Sequence, residues 1–233
     1  MSRLEEIRQA EAQSHTAAYE TYTLYAPGTW LSKPVKALTE MLPLYAEHRG
    51  LEILDLGSGV GRNAIAAALA LPQSHVTCVD ILPLAIEKLL RNAAQFGVSE
   101  QITGISGSVD GFKIEENGYD IILAGSVLEH LDSKDSAAKK LSEIAKGIRP
   151  GGAVMIVMNT GVMEWDTQTM EAREPQFEVN LPTGEARGIL DVYFHGWEIL
   201  TDRLIHQNYD VPRGKRTVTI SSEVVTFAAR RNG

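Results

Sequence analysis

The sequence predicts a doubly wound α/β fold: a mostly parallel sheet in a three-layer sandwich, with one antiparallel strand near the C-terminus. Three observations predict it. Short apolar runs alternate with helix-length segments between residues 51 and 159. Such spacing implies right-handed crossovers and a sheet covered on both faces. The first run, Leu51, Ile53, Leu54 and Leu56, ends in a cluster of glycines, which marks a strand closing on a tight turn. The last third breaks the rhythm and ends in β-prone runs over 216–220 and 223–229.

In chain order, Ser2 followed by Glu5 reads as a capping box opening a polar helix through about Tyr19. A turn-rich stretch from Tyr25 to Trp30 leads to a helix over 33–45. Helices are expected at 62–71, 83–96 and 134–147, and strands at 75–80, 101–106, 119–125 and 153–159. Residues 160–190 are polar and irregular, and the stretch 160–195 is expected to form a lid or substrate insertion. A helix is expected at 196–207, then a pair of short strands turning at Ser221-Ser222. The domain reading is an N-terminal helical cap over 1–48 and a main domain over 49–233.

The chain has 233 residues, 44% apolar and 22% charged, enough to bury a full core. A net charge of −8 argues against a nucleic-acid surface, which relies on clustered Lys and Arg. Cys78 is the single cysteine, so a reducing compartment is expected. The start Met1-Ser2-Arg3-Leu4-Glu5-Glu6 has no apolar core, and no run is long and apolar enough to span a membrane. The expected location is cytoplasmic.

The chemistry centres on Leu54-Asp55-Leu56-Gly57-Ser58-Gly59-Val60-Gly61, where a strand becomes a helix. Glycines let a ligand lie against the backbone, and a helix N-terminus offers unpaired N–H groups to it. The dinucleotide fingerprint needs a third glycine where Arg62 stands. Asp80, closing the next strand, could hold both hydroxyls of a ribose or simply cap the following turn.

The G-x-G-x-G spacing with Asp55 before it resembles motif I of class I S-adenosylmethionine (SAM)-dependent methyltransferases, which have a Rossmann-like fold. Tyr119-Asp120-Ile121-Ile122 with Leu128-Glu129-His130-Leu131, and Ile148-Arg149-Pro150-Gly151-Gly152, resemble further segments of the small-molecule members. Gly61-Arg62-Asn63 is similar to tellurite-resistance types, and Leu-Glu-His-Leu to ubiquinone-biosynthesis types. The resemblance implies methyl transfer from SAM to a small molecule, leaving S-adenosylhomocysteine. It implies a cofactor site of Asp55, Gly57, Ser58, Gly59, Gly61, Arg62, Asp80, Ile81, Val109, Asp110 and Ser126. Asp110 would take the adenine amino group; Arg62 could pair with the methionyl carboxylate or stand solvated on the first turn of the helix.

His130 is the candidate general base, since an imidazole ordinarily titrates near neutrality; ordering its loop or touching the cofactor is the alternative. Glu129 reads as structural. Tyr25, Trp30, Trp165 and His195 are the acceptor-pocket candidates, with Tyr22, Tyr193, Trp197, Asn159 and Glu164 behind them. No metal site is expected, because Asp132 is offset and Asn159 isolated at the strand tips. The place of an Asn/Asp-Pro-Pro-aromatic motif reads Gly125-Ser126-Val127-Leu128, which disfavours DNA and protein-glutamine acceptors. An NAD(P)-dependent oxidoreductase and a non-catalytic SAM-binding subunit are the alternatives.

Overall fold

The computed structural model describes residues 3–214 and 216–233. One sheet runs through the molecule in the order β3-β2-β1-β4-β5-β8-β7. Its parallel part comprises β1 (Glu52–Leu56), β2 (His75–Asp80), β3 (Ile102–Ser106), β4 (Tyr119–Gly125) and the first part of β5 (Ile148–Asp166). The strand order reverses between β1 and β2 on one side and β4 on the other. Open α/β sheets form their ligand crevice at the carboxyl ends of strands flanking such a reversal.

Alternation along the strands buries both faces. Ile53 of β1 packs into one core with Leu38, Met41, Ile65, Leu89, Ile121 and Leu123. Its neighbours Leu54 and Leu56 pack into the other, with Leu141, Ile144, Ile156 and Phe194. Helices α2 (Lys36–Met41), α3 (Ala64–Ala70) and α4 (Pro83–Gln95) cover the first face. Helices α5 (Lys134–Gly147) and α6 (Thr183–Tyr193) cover the second. Pro83 opens α4, where a missing N–H costs nothing, and Ser133 caps α5 by accepting from Ser136 N.

The first helix, α1 (Arg3–Thr21), buries only Ile7 and Tyr19 among its residues. The expected Ser2 cap lies outside the described residues. The 33–45 helix is shorter than expected, running as α2 and a 3₁₀ turn, Leu42–Tyr45, because Pro34 holds the entering chain extended.

The C-terminal third corrects several expectations. Strand β5 does not end near Asn159 but continues to Asp166, and β6 (Ala172–Arg173) pairs back onto it. The 160–190 stretch therefore carries strand and helix rather than irregular chain. Residues 196–207 are not a helix; they begin β7 (Glu198–Arg213), bonded along its length to β8 (Arg216–Arg230). The doublets Ile199-Leu200 and Leu204-Ile205 mimic helical spacing, but pairing with β8 decides the conformation. Ser221-Ser222 is no turn. Both are buried inside β8, and the chain reverses at Gly214, whose φ of +64° suits glycine. Strand β8 is antiparallel to both β5 and β7, so the antiparallel element is an insertion between them. No helix among the described residues is long and apolar enough to cross a membrane.

Candidate active site

The turn after β1 forms first from backbone constraints. Gly57 N and Ser58 N both donate to Val79 O of β2, at 2.8 and 3.1 Å. Gly57 has φ +67°, and a Cβ there would lie 2.7 Å from Val127. Gly59 has φ +54°, and a Cβ there would lie 2.7 Å from the Tyr19 hydroxyl. The turn is therefore sealed on both sides by side chains that leave no room for another carbon.

Asp80, at the end of β2, faces this turn. Its Oδ2 accepts from Gly59 N at 2.8 Å and its Oδ1 from Leu82 N at 2.9 Å. Burial raises its pKa, and the two backbone donors oppose that. Ser58 Oγ is buried without a hydrogen-bond partner among the described residues.

These groups open into a cavity of about 1160 Å³. That exceeds the few hundred to about 1000 Å³ of an ordinary single-ligand pocket. Its lining includes Gly57, Ser58, Gly59, Arg62, Asp80, Ile81, Val109, Asp110 and Ser126, all expected at a cofactor site, together with Trp30 and His130. Asp55 and Gly61 do not reach it. Asp55 is fully buried beneath the turn and accepts from the backbone of Ala64; burial pushes its carboxyl up to about 7, against the pull of Arg62. Gly61 packs against Leu89 and Ile65 of the helices below.

Arg62 is committed to closing the turn-rich segment. Its Nη1 donates to Trp30 O at 2.8 Å, and its guanidinium stacks 5.5 Å from the Trp30 ring. Tyr25 lies outside the cavity: its hydroxyl donates to Arg62 O at 2.7 Å, and its ring packs on Phe96. Trp165 lies near the far end of β5, paired with Ala172, and His195 follows α6; neither lines the cavity. Tyr193 and Trp197 pack against the second core, and Glu164 is buried 3.9 Å from Arg213.

The cavity's roof and far wall come from elements the motifs did not indicate. Helix α1 presents Ile7, Glu11, His15 and Tyr19 along one face, at a spacing of four residues. That periodicity was the available signal, muted by its polar members. The far wall is the β7/β8 hairpin, with Gln207, Tyr209, Val211 and Arg213 alternating along β7.

His130 sits where roof and floor meet. Its Nδ1 lies 3.0 Å from both Glu11 Oε2 of α1 and Glu178 Oε2. Its ring stacks on Phe177 at 5.5 Å. Burial alone would lower the imidazole's pKa, but the two carboxylates raise it to about 10. The two carboxylates thus favour the protonated imidazole, which works against the proton-accepting role expected of it. The three groups lie close enough to resemble a metal-ligand set, within 4.8 Å. The imidazolium, and Arg8 3.9 Å from Glu178, already balance the carboxylates.

Comparison with known proteins shows what the chain is similar to. A family profile described as "Methyltransferase domain" matches residues 53–152. Over that span the chain is similar to a methyltransferase domain. It is 27% identical to phosphoethanolamine N-methyltransferase 1 of Triticum aestivum over 144 residues, 59% of this chain. A sterol 24-C-methyltransferase of Gibberella zeae is 24% identical over 65% of the chain. The chain spans 28% of the length of the wheat protein and 40% of the Gibberella one. Among solved structures, magnesium protoporphyrin IX methyltransferase of Synechocystis PCC 6803, with bound SAM, superposes with a TM-score of 0.59. That match is 16% identical and covers 100% of this chain and 98% of the other. YcgJ of Bacillus subtilis gives 0.60 at 14% identity, over 84% of this chain and 98% of that one. These likenesses establish the methyltransferase fold.

Proposed function

We propose that this methyltransferase domain transfers a methyl group from SAM to a small-molecule acceptor bound in the same cavity. The observation that carries the reading is the glycine turn facing the buried Asp80 carboxylate inside a roofed cavity. The residues fit the cofactor. Ser58 Oγ lacks a partner among the described residues, Asp80 keeps lone pairs beyond its backbone bonds, and Ile81 and Val109 offer apolar flanks for a base. Asp110 at the cavity edge is the acceptor for an exocyclic amine. Ser126 completes the set, while Arg62 lines the same cavity and holds Trp30 over it.

When bound, SAM supplies a methyl group already activated by its positive sulfur. The chain's task is then to position the acceptor and exclude water, which is worth about 7–11 kcal/mol when orientation is complete. Helix α1 does the excluding, with residues 1–48 acting as a cap on the domain over 49–233. With its protonated form favoured by Glu11 and Glu178, His130 is better placed to donate a hydrogen bond than to accept a proton. The acceptor's nucleophile therefore arrives with a free lone pair or loses its proton elsewhere.

A small molecule is favoured by the concave cavity and by the net charge of −8, which repels nucleic acid. The test is calorimetric titration of SAM and S-adenosylhomocysteine, followed by transfer of tritium from labelled SAM to a metabolite pool. Saturable binding and labelled product support the proposal. Failure of both cofactor forms to bind overturns it.

A further inference from the structure

Below the cavity, Glu129 is completely buried and its Oε1 accepts two hydrogen bonds from Asn159: 2.9 Å from the backbone N and 2.8 Å from Nδ2. An oxygen receiving two N–H groups is an acceptor whatever the charge on its carboxyl group. The Asn159 carboxamide is therefore oriented, nitrogen toward Glu129 and oxygen toward the hairpin. That oxygen receives Gln207 Nε2 at 2.8 Å and the Ser222 hydroxyl at 3.1 Å. Gln207 Nε2 also reaches Ser222 Oγ at 3.1 Å. Asn159 Oδ1 can bind only a donor, so Gln207 must present its nitrogen to the relay. Its oxygen is left over. Gln207 lines the cavity wall, and no hydrogen bond reaches its Oε1 among the described residues.

We infer that Gln207 Oε1 selects the acceptor, taking a hydrogen bond from a hydroxyl or N–H group carried beside the atom that is methylated. The inference rests on the proposed methyl transfer and adds the chemical class of the acceptor. A polar oxygen fixed by a buried relay cannot turn to offer N–H instead. A molecule lacking a donor there leaves that oxygen desolvated and unpaired, the costly half of a missing hydrogen bond. Glu129 acts only through Asn159, as a positioning residue.

The test uses three matched pairs with labelled SAM: ethanolamine against 2-methoxyethylamine, 2-mercaptoethanol against 2-methoxyethanethiol, and catechol against guaiacol. Each pair keeps a methylatable atom and differs in one O–H. The wild type is expected to favour the hydroxyl-bearing member of the pairs it uses by about tenfold or more in kcat/KM. Gln207→Met is expected to abolish that preference while S-adenosylhomocysteine binding stays unchanged, and Gln207→Ala serves if the first variant melts early. Equal use of both members, a preference surviving in both variants, or no methylation of any of the six compounds by cofactor-binding enzyme overturns the Gln207 assignment alone. Absence of S-adenosylhomocysteine binding overturns the methyl-transfer reading on which it stands.

Discussion

Nδ1 of His130 lies 3.0 Å from Oε2 of Glu11, so one ion pair ties the loop after β4 to the helix that roofs the cavity. Hydrogen bonds with Glu11 and Glu178 carry the imidazole from its ordinary 6.5 to about 10, against the opposing effect of burial. Despite burial, which acts to raise it, Glu11 falls from 4.5 to about 2, drawn down by His130 and His15. A raised cation stabilises the fold fully below its unfolded pKa, and that contribution fades as pH climbs from 6.5 to about 10. The depressed carboxylate contributes fully above 4.5 and fades as pH falls toward about 2. The latch is therefore complete between 4.5 and 6.5. His130→Gln should cost about 2 kcal/mol there, below the 3–5 of a fully buried pair, since the imidazole is partly exposed. Melting curves across pH should show the gap between wild type and variant closing toward pH 10. A constant gap, or a ¹⁵N imidazole titration near 6.5, contradicts this.

Asp80→Ala should weaken SAM binding by about 10- to 100-fold, the loss of charge-assisted hydrogen bonds to a ribose. The same change frees Gly59 N and Leu82 N, so some loss of stability is expected too. Asp80→Asn separates the effects, since its carbonyl can still accept one backbone bond. Calorimetry beside melting measurements resolves them: an Asn variant that is stable yet binds poorly is the expected result. Binding equal to wild type in both variants removes Asp80 from the site.

How far the sequence could be read follows from where each residue's partners lie. The edges of β2, β4 and α5 were legible because apolar runs and glycines mark them locally. The glycine turn and Asp80 were legible for the same reason. Strand β7 was not, since Leu204 and Ile205 are exposed and only hydrogen bonds to β8 make the segment a strand. Gln207 and Glu11 were invisible as site residues because their neighbours, Asn159 and His130, stand 48 and 119 positions away. His130 was legible in the sequence, but the carboxylates that set its protonation, Glu11 and Glu178, come from two distant segments and were not.

Gly57→Ala should destabilise the fold by about 2–4 kcal/mol. Part is the positive φ of +67°, worth about 1–2 kcal/mol for a residue with a Cβ. The remainder is overlap with Val127, 2.7 Å from the new carbon. Adding Val127→Ala should recover the overlap and leave the backbone strain. Denaturation midpoints of the single and double variants test this. Full recovery would mean that the turn carries no conformational strain.

Glu129→Gln should leave stability unchanged or raise it at neutral pH. The side chain is fully buried, and burial raises its pKa, opposed by His130 and by the Asn159 hydrogen bonds. A carboxylate with a raised folded pKa costs stability as pH climbs above its ordinary range, because the folded state must give up a proton it holds more tightly. Gln keeps a carbonyl oxygen for Asn159 and removes the charge. Its new amide group must take the place of Oε2, which has no partner among the described residues, and that offsets part of the gain. Glu129→Ala is the contrasting change. It orphans both Asn159 donors and opens a cavity, so about 3 kcal/mol should be lost. If Gln and Ala destabilise equally across pH 5–8, the ionised carboxylate itself holds the relay together, and the hydrogen-bond geometry alone does not explain the orientation of Asn159.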